Sequence, residues 1–235
     1  MHLPPRFWAT LVGLLALSPL HLHAEPAAAA PKAEEKPHNY AGWEKDIAAF
    51  EMHDTMHAPP KNPVLFVGSS TIVRWKTLAK DLEGTTVLNR GFGGNEIRDT
   101  TYYVDRIVFP YQPRMIFLRA GTNDLHGGRS PELVAGDFKA FVEKVRTKLP
   151  DVPIAYISVN PTPSRWAEKE AGDRLNAMIS DYIKKGPNLV FVDISKLSLD
   201  AEGKVRPELF VEDQLHFNEE GYKLLTAAVK PYLPK

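Results

Sequence analysis

Five short and nearly continuous apolar runs, separated by longer amphipathic stretches, constrain the fold of this 235-residue chain most strongly. The runs cover residues 64–67, 86–88, 115–118, 154–159 and 189–194. A strand that is apolar at consecutive positions is buried on both faces, as in a parallel sheet covered by helices. The alternation therefore predicts one α/β domain over residues 40–235, a three-layer α/β/α sandwich around a five-stranded parallel sheet.

The stretches between these runs predict helices over residues 42–56, 72–82, 96–109, 131–149, 166–185 and 219–229. The chain has no cysteine, and a domain of this size needs no disulfide to hold a core. Its 29 Lys and Arg residues balance 29 Asp and Glu residues, without a basic run, so no nucleic-acid partner is expected. The sequence makes no prediction about oligomeric state.

The first 24 residues are typical of a secretory signal peptide. Arg6 supplies the positive charge, residues 8–17 form an apolar stretch, and cleavage is expected after Ala24. The stretch is shorter than the roughly 20 apolar residues of a spanning helix, which disfavours a membrane anchor. The sequence therefore predicts export to a bacterial periplasm or the exterior, with no stable membrane insertion after cleavage. Residues 25–39, rich in Ala, Pro, Lys and Glu, predict a disordered linker.

Polar and glycine-rich segments follow three of the predicted strands and precede the last helix. They are residues 68–71 (GSST), 89–95 (NRGFGGN), 121–124 (GTND) and 213–216 (DQLH). Ligands of an open parallel sheet bind at the carboxyl ends of its strands. We therefore expect the chemistry of this chain in these segments.

Ser70 stands at a predicted strand-to-helix turn, which suits a nucleophile because the hydroxyl is exposed at the sheet edge. A serine needs a base to take its proton, and histidine does this near neutral pH. Asp213 lies three residues before His216, close enough to orient its ring, which favours His216 over the other histidines of the domain. Those competitors are His53, His57 and His126. The predicted triad is Ser70, His216 and Asp213.

Attack on an ester also needs donors for the oxyanion that develops. Gly94 offers a backbone N–H that no Cβ obstructs, and Asn123 offers a fixed side-chain amide. With the N–H of Ser70, they predict an oxyanion hole of three donors. Simpler roles stay open: Ser70 as a helix cap, Asn123 as a turn residue, and Asp213 with His216 as a surface turn before the last helix.

In this order, the four segments resemble the four sequence blocks of the SGNH (GDSL-type) hydrolase family. The chain is similar to a bacterial secreted subgroup with GSS in the first block, so that Ser69 stands where aspartate is more common. The resemblance covers about residues 62–233, including a loop at 161–166. It implies a flavodoxin-like fold and a triad of Ser70, His216 and Asp213. It also implies that Gly94 and Asn123 are oxyanion donors.

Two patterns imitate metal or cofactor sites. His53 and His57 are four residues apart, as in the HExxH zinc motif, but Asp54 replaces the required glutamate and residues 58–60 end the helix. Residues 91–94 imitate a dinucleotide-binding turn, but Glu96 takes the place of the third glycine. We therefore expect neither a metal nor an organic cofactor.

The predicted activity is that of a serine esterase acting on short acyl esters, such as acetyl esters, of a carbohydrate or small molecule. Short connections and no evident lid insertion leave little sequence for a long apolar channel. Arg119, Arg165 and Trp166 lie near predicted strand ends, either contacting a sugar or carboxylate or serving as ordinary rim residues. Three alternatives stay open: a periplasmic O-acyltransferase, a lysophospholipase or thioesterase, and a noncatalytic glycan-binding module.

Overall fold

The sheet of the computed structural model has five strands among the described residues, 1–2 and 38–234. They are β1 (Val64–Gly68), β2 (Val87–Gly91), β3 (Met115–Arg119), β4 (Ile154–Ile157) and β5 (Leu189–Val192). Every neighbouring pair is parallel, in the order β2-β1-β3-β4-β5. The predicted five-stranded parallel sheet is confirmed. The predicted signal peptide and most of the predicted linker fall on residues 3–37, outside the described residues.

The order of the strands reverses at β1, because β2 pairs on one side of it and β3 on the other. The register aligns Val64 with both Val87 and Met115, so the three strands end together. A reversal of this kind opens a crevice at the carboxyl ends of the two strands that diverge from it. The crevice between the ends of β1 and β3 is therefore where a site is expected.

Helices cover both faces of the sheet. They are α1 (Glu44–Met56), α2 (Ser70–Val73), α3 (Leu78–Asp81), α4 (Ile97–Tyr102), α5 (Val104–Ile107), α6 (Thr122–His126), α7 (Pro131–Arg146), α8 (Lys169–Ile183) and α9 (Glu219–Val229). Alternate residues of β1 enter two separate cores: Leu65 and Val67 pack with α1, α4, α5, α7 and α8, whereas Val64 and Phe66 pack with α2, α3 and α9. The predicted three-layer sandwich is thus confirmed.

The helix predicted over residues 72–82 is interrupted and forms the separate helices α2 and α3. Trp75 lies between them, 1% exposed, with its ring 5.7 Å from that of Phe66. Its Nε1 donates a hydrogen bond of 2.8 Å to Oδ2 of Asp81. Burying this aromatic ring away from water stabilises the fold more than a continuous helix would, so the helix is interrupted at Trp75.

The helix predicted over residues 96–109 is likewise divided, into α4 and α5. Tyr103 stands between them, 2% exposed, and its hydroxyl donates a hydrogen bond of 2.8 Å to the backbone oxygen of Tyr40. The bounds of α9, in contrast, are those predicted. Asn218 caps it by accepting a hydrogen bond of 3.1 Å from the N–H of Gly221.

Candidate active site

A cleft of about 370 Å³ lies at the carboxyl ends of β1 and β3. Its lining is mostly polar and comes from the segments after β1, β3 and β4 and from the segment before α9. The lining residues are Ser69, Ser70, Thr71, Arg119, Thr122, Asn123, Asn160, Thr162, Arg165, Leu215, His216 and Phe217. The crevice expected from the strand order therefore contains three of the predicted site residues: Ser70, Asn123 and His216.

Gly68 allows the chain to turn from β1 into α2. Its φ is +126°, and a Cβ at this position would lie 2.1 Å from the backbone oxygen of Arg119. This close approach lets the N–H of Ser69 donate a hydrogen bond of 2.9 Å to that oxygen. Only glycine permits such a backbone and such a contact, and the result is that Ser70 begins α2 at the wall of the cleft.

The side chains of Ser70, His216 and Asp213 form a continuous hydrogen-bonded line. Nε2 of His216 is 2.8 Å from Oγ of Ser70, and Nδ1 is 2.6 Å from Oδ2 of Asp213. When Nδ1 donates its proton to the carboxylate, Nε2 is left as the acceptor for the serine hydroxyl. The three residues that the sequence predicts as a triad are therefore together and in the predicted order.

The carboxylate of Asp213 is held in its charged form by donors from its own turn. Oδ1 accepts hydrogen bonds from the N–H groups of Leu215, at 2.9 Å, and His216, at 3.0 Å. Burial works to raise the pKa of Asp213, but the hydrogen bonds from His216 and Leu215 and the nearby imidazole hold it well below its usual range. The carboxylate is thus an acceptor for the ring of His216 throughout the neutral range.

The turn that presents His216 is fixed from both sides. The N–H of Val211 donates a hydrogen bond of 2.9 Å to the backbone oxygen of His216, and Phe210 and Phe217 form a bridge with their rings 5.3 Å apart. Because Asn218 caps α9, neither Asp213 nor His216 is needed for that role.

Asn123 has both ends of its amide engaged. Nδ2 donates a hydrogen bond of 2.9 Å to the backbone oxygen of Asn95, and Oδ1 accepts one of 3.1 Å from Nη1 of Arg165. An amide nitrogen carries two protons, so the second N–H of Nδ2 remains available for a ligand in the cleft. Gly94 lies in the turn after β2 with a φ of +77° and is outside the cleft lining. Its role as an oxyanion donor stays a prediction.

Asp124 stands behind Asn123 and is fully buried. Its Oδ1 accepts a hydrogen bond of 3.0 Å from the N–H of Ile97, which joins the start of α6 to the start of α4. Burial raises the pKa of Asp124 to about 7, although the hydrogen bond from Ile97 and the charge of Arg129 oppose the rise. The carboxyl group therefore links the segments that carry Gly94 and Asn123.

Sequence reasoning missed Asn160 and Thr162, which follow β4 and enter the same cleft. Both are almost fully buried, at 6% and 5% exposed. Ligands of a parallel sheet bind at the carboxyl ends of its strands, and this rule applies to the fourth strand as it does to the first three. The position of Asn160 and Thr162 after a predicted strand was therefore the available signal.

Within the described residues, no group of three or more His, Cys, Asp or Glu side chains is arranged to hold a metal ion. The rings of His53 and His57 stack 4.7 Å apart. Asp54, which follows His53 in the sequence, accepts hydrogen bonds from Arg90 and Tyr111. Asp54, which stands in the HExxH-like pattern, therefore already has two hydrogen-bond partners.

Solved structures share this fold at low sequence identity. A Streptococcus pneumonia protein, provisionally named a platelet activating factor, is 21% identical with a TM-score of 0.73, over 81% of this chain and 92% of that one. A GDSL-like lipase from Bacteroides thetaiotaomicron is 20% identical with a TM-score of 0.67, over 83% and 98%. A catalytic mutant of an acetylxylan esterase from Geobacillus stearothermophilus is 15% identical with a TM-score of 0.58, over 71% and 91%. These likenesses establish the fold.

The family is established by the sequence itself. No curated protein matches the chain significantly. The sequence pattern of one family, however, matches residues 67–224, which is more than half of the chain. The matched segment runs from the end of β1 into α9 and includes all the residues that line the cleft. The chain therefore belongs to the GDSL-like lipase/acylhydrolase family.

Proposed function

We propose that this protein is a serine esterase that removes short acyl groups, acetyl in particular, from a carbohydrate or another small ester. The observation that carries the proposal is the hydrogen-bonded line from Ser70 through His216 to Asp213, with distances of 2.8 and 2.6 Å. A base hydrogen-bonded to a hydroxyl and oriented by a carboxylate is the arrangement that activates a serine for attack.

In the proposed mechanism, Oγ of Ser70 forms a bond to the ester carbonyl carbon while Nε2 of His216 takes the hydroxyl proton. The N–H groups of Ser70 and Gly94 and the free N–H of Asn123 stabilise the oxyanion. The tetrahedral intermediate collapses, and the alcohol leaves with the proton from His216. Water, deprotonated by the same histidine, then attacks the acyl-serine, and the acid is released as Ser70 regains its proton.

The polar lining of the cleft and one structural likeness support a short acyl group and a polar alcohol. Ten of the twelve residues that line the cleft are polar, with Leu215 and Phe217 as the exceptions. A long acyl chain needs an apolar channel, because a polar wall recovers little free energy on burying methylene groups. An acetylxylan esterase is among the proteins that share the fold.

The test is hydrolysis of p-nitrophenyl acetate, butyrate and octanoate by the wild-type domain and by Ser70→Ala. We expect acetate to be hydrolysed fastest and the variant to have no activity above background. Faster hydrolysis of octanoate would contradict the short-acyl preference and favour a lysophospholipase or thioesterase. Release of p-nitrophenol that requires an added glycan acceptor would favour an O-acyltransferase. No turnover under any of these conditions would favour a glycan-binding module.

We also propose export, with a signal peptide over residues 1–24 and a linker over residues 25–39. Within the described residues, no helix has the length and apolar character needed to cross a membrane. The proposal rests on the sequence of the first 24 residues. Expression of the full chain in a bacterial host, followed by N-terminal sequencing of the periplasmic fraction, tests it: we expect a mature protein that begins at Glu25, and an uncut chain in the cytoplasm would contradict it.

A further inference from the structure

Arg119, the last residue of β3, lies inside the cleft and is 3% exposed. Nη1 donates a hydrogen bond of 3.1 Å to Oγ1 of Thr122, and Nη2 donates one of 3.0 Å to Oδ1 of Asn160. Both acceptors are neutral, and Nε has no partner among the described residues. A buried guanidinium is ordinarily paired with a carboxylate, because removing a cation from water without a counter-charge is costly.

The surroundings of Arg119 add positive rather than negative charge. None of the twelve lining residues of the cleft is Asp or Glu, and the other permanent cation among them is Arg165. Arg165 also contacts Thr122, through a hydrogen bond of 3.2 Å from Nη1 to its backbone oxygen. Burial, and to a smaller extent the charge of Arg165, lower the pKa of Arg119, which nevertheless stays charged.

A second unpartnered group lies in the same wall. Thr162 is 5% exposed, and its Oγ1 has no hydrogen-bond partner among the described residues. The cleft is therefore lined by a buried cation without a counter-ion and by a buried hydroxyl without a partner among the described residues, and Ser70 lines the same cleft. These are the groups that an anionic ligand with several acceptor oxygens would satisfy.

We propose that the ester substrate bears a carboxylate, which Arg119 binds with the help of Arg165 and Thr162. This inference rests on the proposed esterase function and names its substrate class. Arginine suits the role because its planar fork matches the two oxygens of a carboxylate. A purely structural role, as a brace between the ends of β3 and β4, requires only the hydrogen bonds to Thr122 and Asn160; a neutral side chain can supply such bonds without burying a charge.

The test compares each anionic ester with its neutral methyl ester. In the alcohol-side arm, 4-acetoxybenzoate is compared with methyl 4-acetoxybenzoate; in the acyl-side arm, monophenyl glutarate is compared with phenyl methyl glutarate. We expect kcat/KM for the anionic ester to exceed that for the neutral ester at least about tenfold in one arm. That arm identifies the side of the ester that carries the carboxylate. Ratios near one or lower in both arms would overturn the inference.

Variants then assign the preference to Arg119. We expect Arg119→Gln to lower the anionic-to-neutral ratio at least about tenfold and Arg119→Lys to lower it less. Arg174→Gln is the matched control, because Arg174 is exposed, pairs with Glu132 and lies outside the cleft. It should leave the ratio unchanged. A ratio that does not change in Arg119→Gln would also overturn the inference.

Binding separates this inference from the esterase proposal. Ser70→Ala does not hydrolyse its ligand under the proposed mechanism, so titration calorimetry can measure its affinity for each of the four esters. We expect the anionic member of one pair to bind at least about tenfold more tightly, even if the wild type turns over no ester at all. Equal affinities in both pairs would overturn the carboxylate site, whereas wild-type turnover that persists in Ser70→Ala would overturn the serine mechanism.

Discussion

Nη1 of Arg165 donates a hydrogen bond of 3.1 Å to Oδ1 of Asn123. Together with the bond from Nδ2 to the backbone oxygen of Asn95, at 2.9 Å, it fixes which end of the amide faces which neighbour. A flipped amide would bring its nitrogen against the guanidinium and its oxygen against a carbonyl. Arg165 therefore fixes the orientation of the Asn123 amide, and under the proposed mechanism it is a positioning residue for the second N–H of Nδ2.

Asn123→Ala tests the oxyanion role of this amide. We expect kcat for p-nitrophenyl acetate to fall by about 10²- to 10³-fold, equivalent to about 3 to 4 kcal/mol, with little change in KM, because the bond strengthens only as negative charge develops. Steady-state kinetics measure both constants, and circular dichroism verifies the fold. A rise in KM without a loss of kcat would instead place Asn123 in ground-state binding.

The triad is expected to act as a unit. Ser70→Ala and His216→Ala should each lower kcat by about 10⁴- to 10⁶-fold, and the double variant should be no worse than either, because each residue is useless without the other. Kinetics of the three variants with p-nitrophenyl acetate make the comparison, and multiplied losses in the double variant would contradict it. Ser69→Ala is the matched control and should retain substantial activity.

Asp124 is expected to make stability fall as pH rises. Its pKa is about 7 in the folded protein, against about 3.9 in the unfolded chain, so between these values the folded state binds the extra proton. Asp124→Asn removes this titration. As pH rises from 4 to 8, the free energy of unfolding of the variant should therefore increase relative to that of the wild type by up to about 4 kcal/mol. Urea unfolding at several pH values measures it.

Asp105→Asn supplies a contrast of opposite sign. Hydrogen bonds from Lys144 and Lys148 lower the pKa of Asp105, so its contribution to stability is present at neutral pH and is lost as pH falls through the acidic range. This variant should lose stability relative to the wild type at pH 7 and less at pH 3. If Asp124→Asn shows the same pH trend as Asp105→Asn, the protonation assigned to buried Asp124 is wrong.

Gly68→Ala should destabilise the domain by at least about 3 kcal/mol. Its φ of +126° is strained for alanine, and the new Cβ would meet a backbone oxygen at 2.1 Å, which no side chain can relieve by rotating. Thermal unfolding measures the loss. Gly136→Ala is the control, since Gly136 lies inside α7 with nothing within 4 Å of the added carbon. That variant should be as stable as the wild type or gain up to about 1 kcal/mol.

The strands and the contact between Asp213 and His216 could be predicted because their signals are local. A run such as residues 115–118 is apolar at every position, which identifies a doubly covered strand from a few neighbours. Asp213 and His216 are three residues apart, so their contact depends on a single turn. The breaks at Trp75 and Tyr103 were not predictable in this way, because each has a partner far away in the chain. The ring of Trp75 lies 5.9 Å from that of Tyr222, and the hydroxyl of Tyr103 bonds to Tyr40, 63 positions earlier.

The surroundings of Arg119 were not predictable for the same reason, since they depend on residues that are distant in the sequence. Its position after a strand predicted only that it lies near the site. That it is buried without a carboxylate depends on Asn160, 41 residues away, and on which side chains the loop after β4 brings to the cleft. Charge balance within a cleft is a property of the assembled fold, so the 29 acidic and 29 basic residues of the whole sequence contain no sign of it.

Ser70 and His216, the proposed nucleophile and base, are 146 positions apart in the chain, whereas His216 and Asp213 are three positions apart. During synthesis, a ribosome releases the segment with Ser70 long before His216 is joined to the chain. A chain that ends before residue 216 therefore has no imidazole beside Ser70, so under the proposed mechanism hydrolysis can begin only after His216 has been joined to the chain.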